Sequence, residues 1–206
     1  VLGIFKLFYF ISFINLSILV AICIISILDV SLKLMIQIDL KKIVAFATIF
    51  EMNLLLIFLI FFAKYNLKIL IIFFIFHSLI SASFFLIADI IYKKFNTRII
   101  NNISVSNSNS TILNILNYVL LLILIGFPLS IKFLLEFSLL IKIFYFDFLI
   151  FFLLTISILF FNIIFSIRIL KIYFGNKNKF LETNNKKDVL LLLILIISIN
   201  FLFIIL

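Results

Sequence analysis

The chain has 206 residues, of which 67% are hydrophobic and 12% are charged, and its mean hydropathy is +1.48. A water-soluble domain of this size needs a charged shell and polar loops, so the composition indicates a protein embedded in lipid. The formal charge of +9 does not indicate a nucleic-acid partner, because the Lys and Arg residues flank apolar stretches, where they orient a membrane chain. The stretches lack the alternating polarity of a membrane β-barrel, which predicts an all-α integral membrane fold.

Seven apolar stretches follow one another, most of them near the roughly 20 residues that a helix needs to span a bilayer. We predict that they form a single transmembrane domain over residues 1–206, with polar loops at Asn101–Thr111 and Gly175–Asp188. The predicted spans are Val1 to about Asn15, Leu16–Gln37, Asp39–Ala63, Leu67–Tyr92, a fifth that begins near Ile112, Phe148–Tyr173 and Val189–Leu206.

The fifth span is predicted to be discontinuous. Gly126 and Pro128 lie within its apolar stretch, and the chain resumes as a helix through Ile131–Phe146. A Gly and a Pro this close interrupt a helix. Broken helices recur at ion sites in membranes, because the freed backbone groups and helix ends face a cavity.

The basic residues of the loops are unequally divided between the two sides of the membrane. If alternate loops share a side, eleven basic residues fall on one side and three on the other, which predicts that the first side is the matrix or cytoplasm. The basic side collects Lys33, Lys41, Lys42, Lys93, Lys94, Arg98, Lys171, Lys177, Lys179, Lys186 and Lys187, and the other side has Lys64, Lys68 and Lys142.

Two ionisable side chains in the first half of the chain are candidates for a proton path. A charge inside a bilayer costs from about 2.5 to more than about 10 kcal/mol, so it indicates function by default. Lys6 lies inside an apolar span but five residues from Val1, so snorkelling to the interface is an equal alternative. Glu51 lies about 12 residues inside its span, and its alternative is an interhelical pair with a Lys or a His.

Two further candidates follow along the chain. His77 is the single histidine and lies mid-span; an ordinary pKa of about 6.5 suits reversible protonation, and the alternative is a hydrogen-bonded core residue. Glu136 follows the helix break, with Lys132 four residues earlier on the same helical face, so its alternative is a Lys132–Glu136 pair at the membrane edge. Local ion pairs are predicted for Asp29 with Lys33 and for Asp89 with Lys93.

Motifs for catalysis or cofactor binding are missing from the sequence. It has no glycine-rich phosphate loop, no CxxC pair and no Ser-His-Asp set, and it contains 3 Gly in all. The single cysteine, Cys23, reads as a small buried apolar residue. The residues therefore permit proton or ion movement but no redox step, and we expect neither a cofactor nor a metal ion in this chain.

The composition also bears on origin. The chain has 30 Phe and no Trp, and Ile, Asn and Lys abound, as in proteins encoded by AT-rich organellar genomes. It opens at Val1 within an apolar stretch, so we expect either a non-standard start codon or one piece of a longer protein.

Four blocks of sequence resemble the antiporter-like subunits of respiratory complex I. The blocks Asp39–Met52 (DLKKIVAFATIFEM) and His77–Phe85 (HSLISASFF) are the more specific ones, and from Asp39 to Glu136 the blocks follow in the order of that family. The others are Phe5-Lys6-Leu7 with Tyr9 close by, and Pro128 through Leu135-Glu136-Phe137; Tyr92 and Asn96-Thr97-Arg98 follow the histidine block.

The resemblance favours subunit 4 of that complex, because its sister subunits 2 and 5 typically carry Lys where this chain has Glu136. It implies that the seven spans are the second half of a fourteen-helix fold. Lys6, Glu51, His77 and Glu136 would then line a proton path, with Lys132 and Lys41 as secondary members. Glu51 departs from the family, which usually has His there, and Leu135 replaces the usual Gly.

The resemblance also implies surroundings. Partners would be other membrane-arm subunits, above all a chain with the first half of the subunit and the neighbouring subunits 2 and 5, in the mitochondrial inner membrane with the basic loops in the matrix. NADH, FMN, iron–sulfur clusters and ubiquinone would belong to other parts of the complex. The alternatives are a cation/proton antiporter subunit, subunit 2 of the same complex, or a structural membrane subunit.

Overall fold

The computed structural model of the chain describes most of its central part. All described segments are helices or short connections between helices, as the sequence predicts. The described residues are 16–62, 67–100, 118–120, 122–123, 125–127, 130–174, 190–191 and 193–197.

Five helices can be delimited, and we number them in chain order. They are α1 (Leu16–Ile36), α2 (Leu40–Phe62), α3 (Leu67–Phe95), α4 (Ile131–Phe146) and α5 (Phe148–Phe174). Their bounds agree with the predicted spans to within three residues.

Four of the helices, α1, α2, α3 and α5, are long and apolar enough to cross a membrane, whereas α4 has 16 residues. The all-α membrane class is therefore confirmed. The first predicted span, Val1 to Asn15, lies outside the described residues, and the seventh is helical where it is described, at residues 190–191 and 193–197.

The predicted helix break is present at Gly126. Residues 118–120, 122–123 and 125 are helical, and Gly126 then adopts a φ of +78°, a conformation that side-chain-bearing residues rarely adopt. Helix α4 begins after Ser130, whose hydroxyl accepts a hydrogen bond from the backbone N–H of Phe133 at 3.2 Å. The break thus ends in a capped helix start; Pro128 lies outside the described residues.

A short backbone pairing ties the α1–α2 connection to the segment that follows α3. The N–H of Leu40 donates to the carbonyl of Arg98 at 2.9 Å, and the N–H of Ile100 donates to that of Ile38 at 2.9 Å. Asn96, with a φ of +53°, ends α3 and turns the chain toward this pairing. We call it the loop clamp; it holds the start of α2 beside the end of α3.

The helices pack around an interior rich in phenylalanine. Each helix contacts the next in chain order, α1 also contacts α5, and α2 also contacts α4. The ring of Phe50 on α2 stacks on that of Phe161 on α5, with centroids 3.6 Å apart. Phe161 in turn stacks on Phe165 at 5.8 Å, and Phe165 meets the edge of Phe84 on α3 at 6.1 Å. We call these four residues the phenylalanine ladder.

The predicted local ion pairs are confirmed at the surface of the described region. Lys33 and Asp29 are 2.6 Å apart, and Lys93 and Asp89 are 2.9 Å apart. All four side chains are more than two-fifths exposed, so these pairs add little stability. Cys23 is buried, as predicted, at 3% exposure.

We predict that Phe161→Ala destabilises the protein by about 3 kcal/mol, because it leaves a cavity beside Phe50 and Phe165. Lipid is as apolar as the ladder, so the loss comes from packing rather than from exposure to water. The free energy of unfolding in mixed micelles measures it. Phe152→Ala, at a ring that is 55% exposed, is the matched control and should change stability far less.

Candidate proton-handling site

Two carboxylates and one ammonium meet between α2 and α4. Lys132 Nζ lies 2.8 Å from Glu51 Oε1 and 3.5 Å from Glu136 Oε1. We call Glu51, Lys132 and Glu136 the buried triad. The structure thereby unites two predicted path residues with the secondary candidate Lys132.

The triad is enclosed by protein. The side chain of Lys132 is 0% exposed, that of Glu51 3% and that of Glu136 11%. Charges removed from water in this way are stable only when they are paired. The predicted Lys132–Glu136 contact therefore exists, but inside the helix packing rather than at an exposed edge.

The sequence places the three groups through ordinary helix geometry. Lys132 and Glu136 lie one turn apart on α4, so they share a face, and the Ser130 cap sets where that face begins. Glu51 follows Phe50 on α2, and both are buried where α2 contacts α4. The two helices thus point opposite charges at each other.

An aromatic ring shields the ammonium on one side. Lys132 Nζ lies 5.3 Å from the centroid of Phe50, within the range of a cation–π contact. The Phe50 ring also stacks on the ring of Phe161. The phenylalanine ladder therefore forms an apolar wall beside the triad, which lowers the local dielectric and strengthens the charge–charge interactions there.

The helix break approaches the triad directly. A Cβ atom built on Gly126 would lie 3.3 Å from Glu136 Oε2, closer than most real contacts of this kind. The bare backbone of the break thus covers the carboxyl of Glu136. The sequence had indicated that the break and Glu136 belong together, but not that Gly126 itself is the contact.

His77 is buried on α3, at 7% exposure, close enough to Glu51 for their charges to interact. Among the described residues, its Nδ1 has no hydrogen-bond partner, and neither has Glu51 Oε2. A further proton-binding group thus interacts electrostatically with the triad.

Of the other two sequence candidates, the structure describes only Lys41, which lies away from this site. Lys6 lies outside the described residues. Lys41 lies near the start of α2, 3.8 Å from Asp89 and 5.5 Å from the centroid of the Tyr92 ring, so it belongs to the surface beside the loop clamp.

Sequence reasoning missed the partner of Glu51. It paired Lys132 with Glu136 along α4 and left the partner of Glu51 open between a Lys and a His. The sequence did contain a signal for this contact. Opposite charges that are isolated in two apolar helices of one bundle are expected to form a pair, because an unpaired buried charge is costly. The contact of Phe50 with Lys132 had no sequence signal, because a phenylalanine is common throughout this chain.

The arrangement can exchange protons. Carboxylates and imidazole are side chains that bind and release protons reversibly. Within the described residues, no three His, Cys, Asp or Glu side chains are grouped so that they could hold a metal ion. The site is thus a set of proton-binding groups inside a membrane helix bundle, next to a broken helix.

Buried charges at a helix break within a bundle of apolar helices are typical of membrane transport proteins. The chain belongs to the family described as NADH:quinone oxidoreductase/Mrp antiporter, transmembrane region, which matches residues 1–165. The resemblance found in the sequence is thereby confirmed.

The chain is similar to NADH-ubiquinone oxidoreductase chain 4 from several organisms. It is 31% identical over 120 residues to NADH-ubiquinone oxidoreductase chain 4 of Dictyostelium citrinum, over 58% of this chain and 29% of that protein. It is 30% identical over 122 residues to chain 4 of Chlamydomonas reinhardtii, over 59% and 28%. Chain 4 of Paramecium tetraurelia is 30% identical over 120 residues, with 57% and 25% covered. The chain is thus chain 4-like and spans less than a third of the length of these relatives.

A solved structure shares the fold. The structure of the Mrp complex from Dietzia sp. DQ12-45-1b contains a chain that superposes with a TM-score of 0.68 at 18% identity, over 81% of this chain and 31% of that one. At this identity the match supports the fold alone.

We predict that Lys132→Met destabilises the protein by about 3 kcal/mol at neutral pH, since it leaves two buried carboxylates without a cation. The loss should shrink at acidic pH, where protonation neutralises the carboxylates. Thermal unfolding of the purified membrane assembly across pH measures both effects. Lys68→Met, at an exposed lysine, is the control; an equal loss in both variants would contradict the role of the triad.

We predict that Gly126→Ala also disturbs the site, because it forces a side chain into a positive φ and toward Glu136. The cost should be on the order of 1–3 kcal/mol. Unfolding measurements on Gly126→Ala alone and combined with Glu136→Gln test whether the two positions are coupled. Strictly additive losses would show that the contact has no energetic weight.

Proposed function

We propose that this chain is the C-terminal half of a proton-translocating, chain 4-like subunit of mitochondrial complex I. The observation that carries the proposal is the buried triad, three ionisable side chains held between membrane helices next to a broken helix. A purely structural subunit gains nothing from such a cluster, since apolar residues of similar volume pack at equal or lower free energy.

The proposed path is made of the four residues singled out in the sequence. Protons pass along Lys6, Glu51, His77 and Glu136, with Lys132 between the two carboxylates. His77 and Glu51 interact electrostatically, and Glu51 and Glu136 meet the same ammonium, so a change of protonation at one member alters the proton affinity of the next. The energy comes from quinone reduction in another part of the complex.

The proposal extends to architecture and surroundings. The chain forms one transmembrane domain of seven helices over residues 1–206, the second half of a fourteen-helix subunit. Its partners are a chain with the first half and the neighbouring subunits 2 and 5, in the mitochondrial inner membrane with the basic loops facing the matrix.

We predict that Glu136→Gln lowers the number of protons moved per NADH oxidised while the complex still assembles, because Gln keeps the shape of the side chain and cannot exchange a proton. Proton uptake and NADH oxidation are measured together in sealed membrane vesicles. Asp29→Asn is the control, since Asp29 is exposed and forms a surface pair. Normal pumping by the Glu136 variant would refute its place in the path.

A second candidate function is cation/proton exchange, because the description of the family that matches residues 1–165 includes the Mrp antiporter as well as NADH:quinone oxidoreductase. It predicts cation-dependent proton movement in vesicles without NADH. The complex I proposal predicts proton movement only during NADH oxidation. The same vesicles therefore distinguish the two functions.

A further inference from the structure

We propose that the buried triad holds one exchangeable proton and that Lys132 pairs with whichever of its two carboxylates is ionised. The proposal rests on the proposed function in one respect, since it specifies how a proton crosses this part of the path. Lys132 is in this view a positioning residue. Its ammonium stays protonated, and the carboxylate with which it pairs is ionised, so the exchangeable proton is on the other carboxylate.

The count of charges leads to one proton. Glu51 and Glu136 carry two negative charges when both are ionised, and Lys132 carries one positive charge. An uncompensated charge among side chains that are 0%, 3% and 11% exposed is strongly unfavourable. One additional proton on either carboxylate makes the triad neutral. Two additional protons would leave the ammonium without a counter-ion.

The two carboxylates differ in their distance from the ammonium. Lys132 Nζ is 2.8 Å from Glu51, the separation of a direct ion pair, and 3.5 Å from Glu136, which is longer than a charge-assisted hydrogen bond. The geometry points to an ionised Glu51 and a protonated Glu136. The backbone at Gly126 lies beside Oε2 of the same carboxyl, since a Cβ built there would be 3.3 Å from that oxygen.

Transfer requires a small movement of one side chain. Lys132 stands one helical turn before Glu136 and faces Glu51 across the α2–α4 contact, so its flexible stem reaches both. When a proton leaves Glu136 and an oxygen of Glu51 takes one up, the ammonium moves to Glu136. The O–H bond at Glu136 breaks, an O–H bond at Glu51 forms, and no electron is transferred.

The described surroundings of the triad include a proton-binding group and an apolar wall. From α3, the charge of His77 interacts with that of Glu51, so its imidazole is a further group that can bind the proton. Phe50 of α2, whose ring centroid lies 5.3 Å from Lys132 Nζ, and Phe161 of α5, which stacks on Phe50, bind no proton. The phenylalanine ladder is thus an apolar side of the site.

Difference infrared spectroscopy on the intact membrane assembly tests the proposal, because a protonated carboxylic acid has a carbonyl band that a carboxylate lacks. In the unaltered protein we expect one such band from the triad, shifted by exchange into D₂O. Glu136→Gln removes it. Glu51→Gln removes it too, because Lys132 then pairs with Glu136 and ionises it.

The behaviour of Glu51→Gln separates this proposal from a simpler one. If Glu136 were protonated merely because it is buried, the band would persist in Glu51→Gln, and sharing through Lys132 would be refuted. Lys132→Met should show two bands, since both carboxylates then need a proton, and Lys132→Arg should keep one. Asp29→Asn, at the exposed pair, should leave the band unchanged.

The infrared measurement tests the shared proton separately from the pumping measurement, which tests the proposed function. Loss of the band in both Gln variants together with normal proton pumping would leave the shared proton in place and refute the proposed function. The opposite result is reduced pumping by Glu136→Gln although the unaltered protein shows no carboxylic acid band from Glu136. It would leave the proposed path in place and refute the shared proton. If Lys132→Met fails to assemble, the two isosteric Gln variants still decide the question.

Discussion

The pairing of one ammonium with two carboxylates in an apolar interior constrains the rest of this structure. Charges in such a medium must be neutralised locally, so α2 and α4 have to meet at a fixed register for Lys132 to reach Glu51. The Ser130 cap sets the start of α4, and the break at Gly126 brings the preceding segment over Glu136. The position of α4, the 16-residue helix, is therefore constrained by the need to pair Lys132 with Glu51.

Much of the fold followed from hydropathy, whereas the site followed only in part. The ends of α1, α2 and α5 were predictable because apolar stretches of bilayer length are bounded by polar residues such as Gln37 and Asp147. The break was predictable because Gly and Pro interrupt helices. The contact of Lys132 with Glu51 was not, because residues eighty-one positions apart meet only through the mutual arrangement of two helices, which hydropathy does not specify.

Glu51 acquires a physical explanation from its neighbour. By resemblance, the antiporter-like subunits usually have His at this position, and an unpaired carboxylate in its place would be costly in a buried site. Lys132 supplies the opposite charge at 2.8 Å, and Phe50 and Phe161 exclude solvent from the pair. The departure from the family is thus accommodated by a contact across two helices rather than by exposure to water. The many phenylalanines of the chain are part of that environment.

The loop clamp has a mechanical consequence. Two backbone hydrogen bonds, Leu40 to Arg98 and Ile100 to Ile38, join the ends of α2 and α3, which are also in contact along their length. The two helices that carry Glu51 and His77 are thereby joined at one end as well as along their length. The chain before α4 is interrupted at Gly126. Because Lys132 and Glu136 lie on α4 and Glu51 lies on α2, a displacement of α4 relative to the joined α2–α3 pair would change the distances around Lys132.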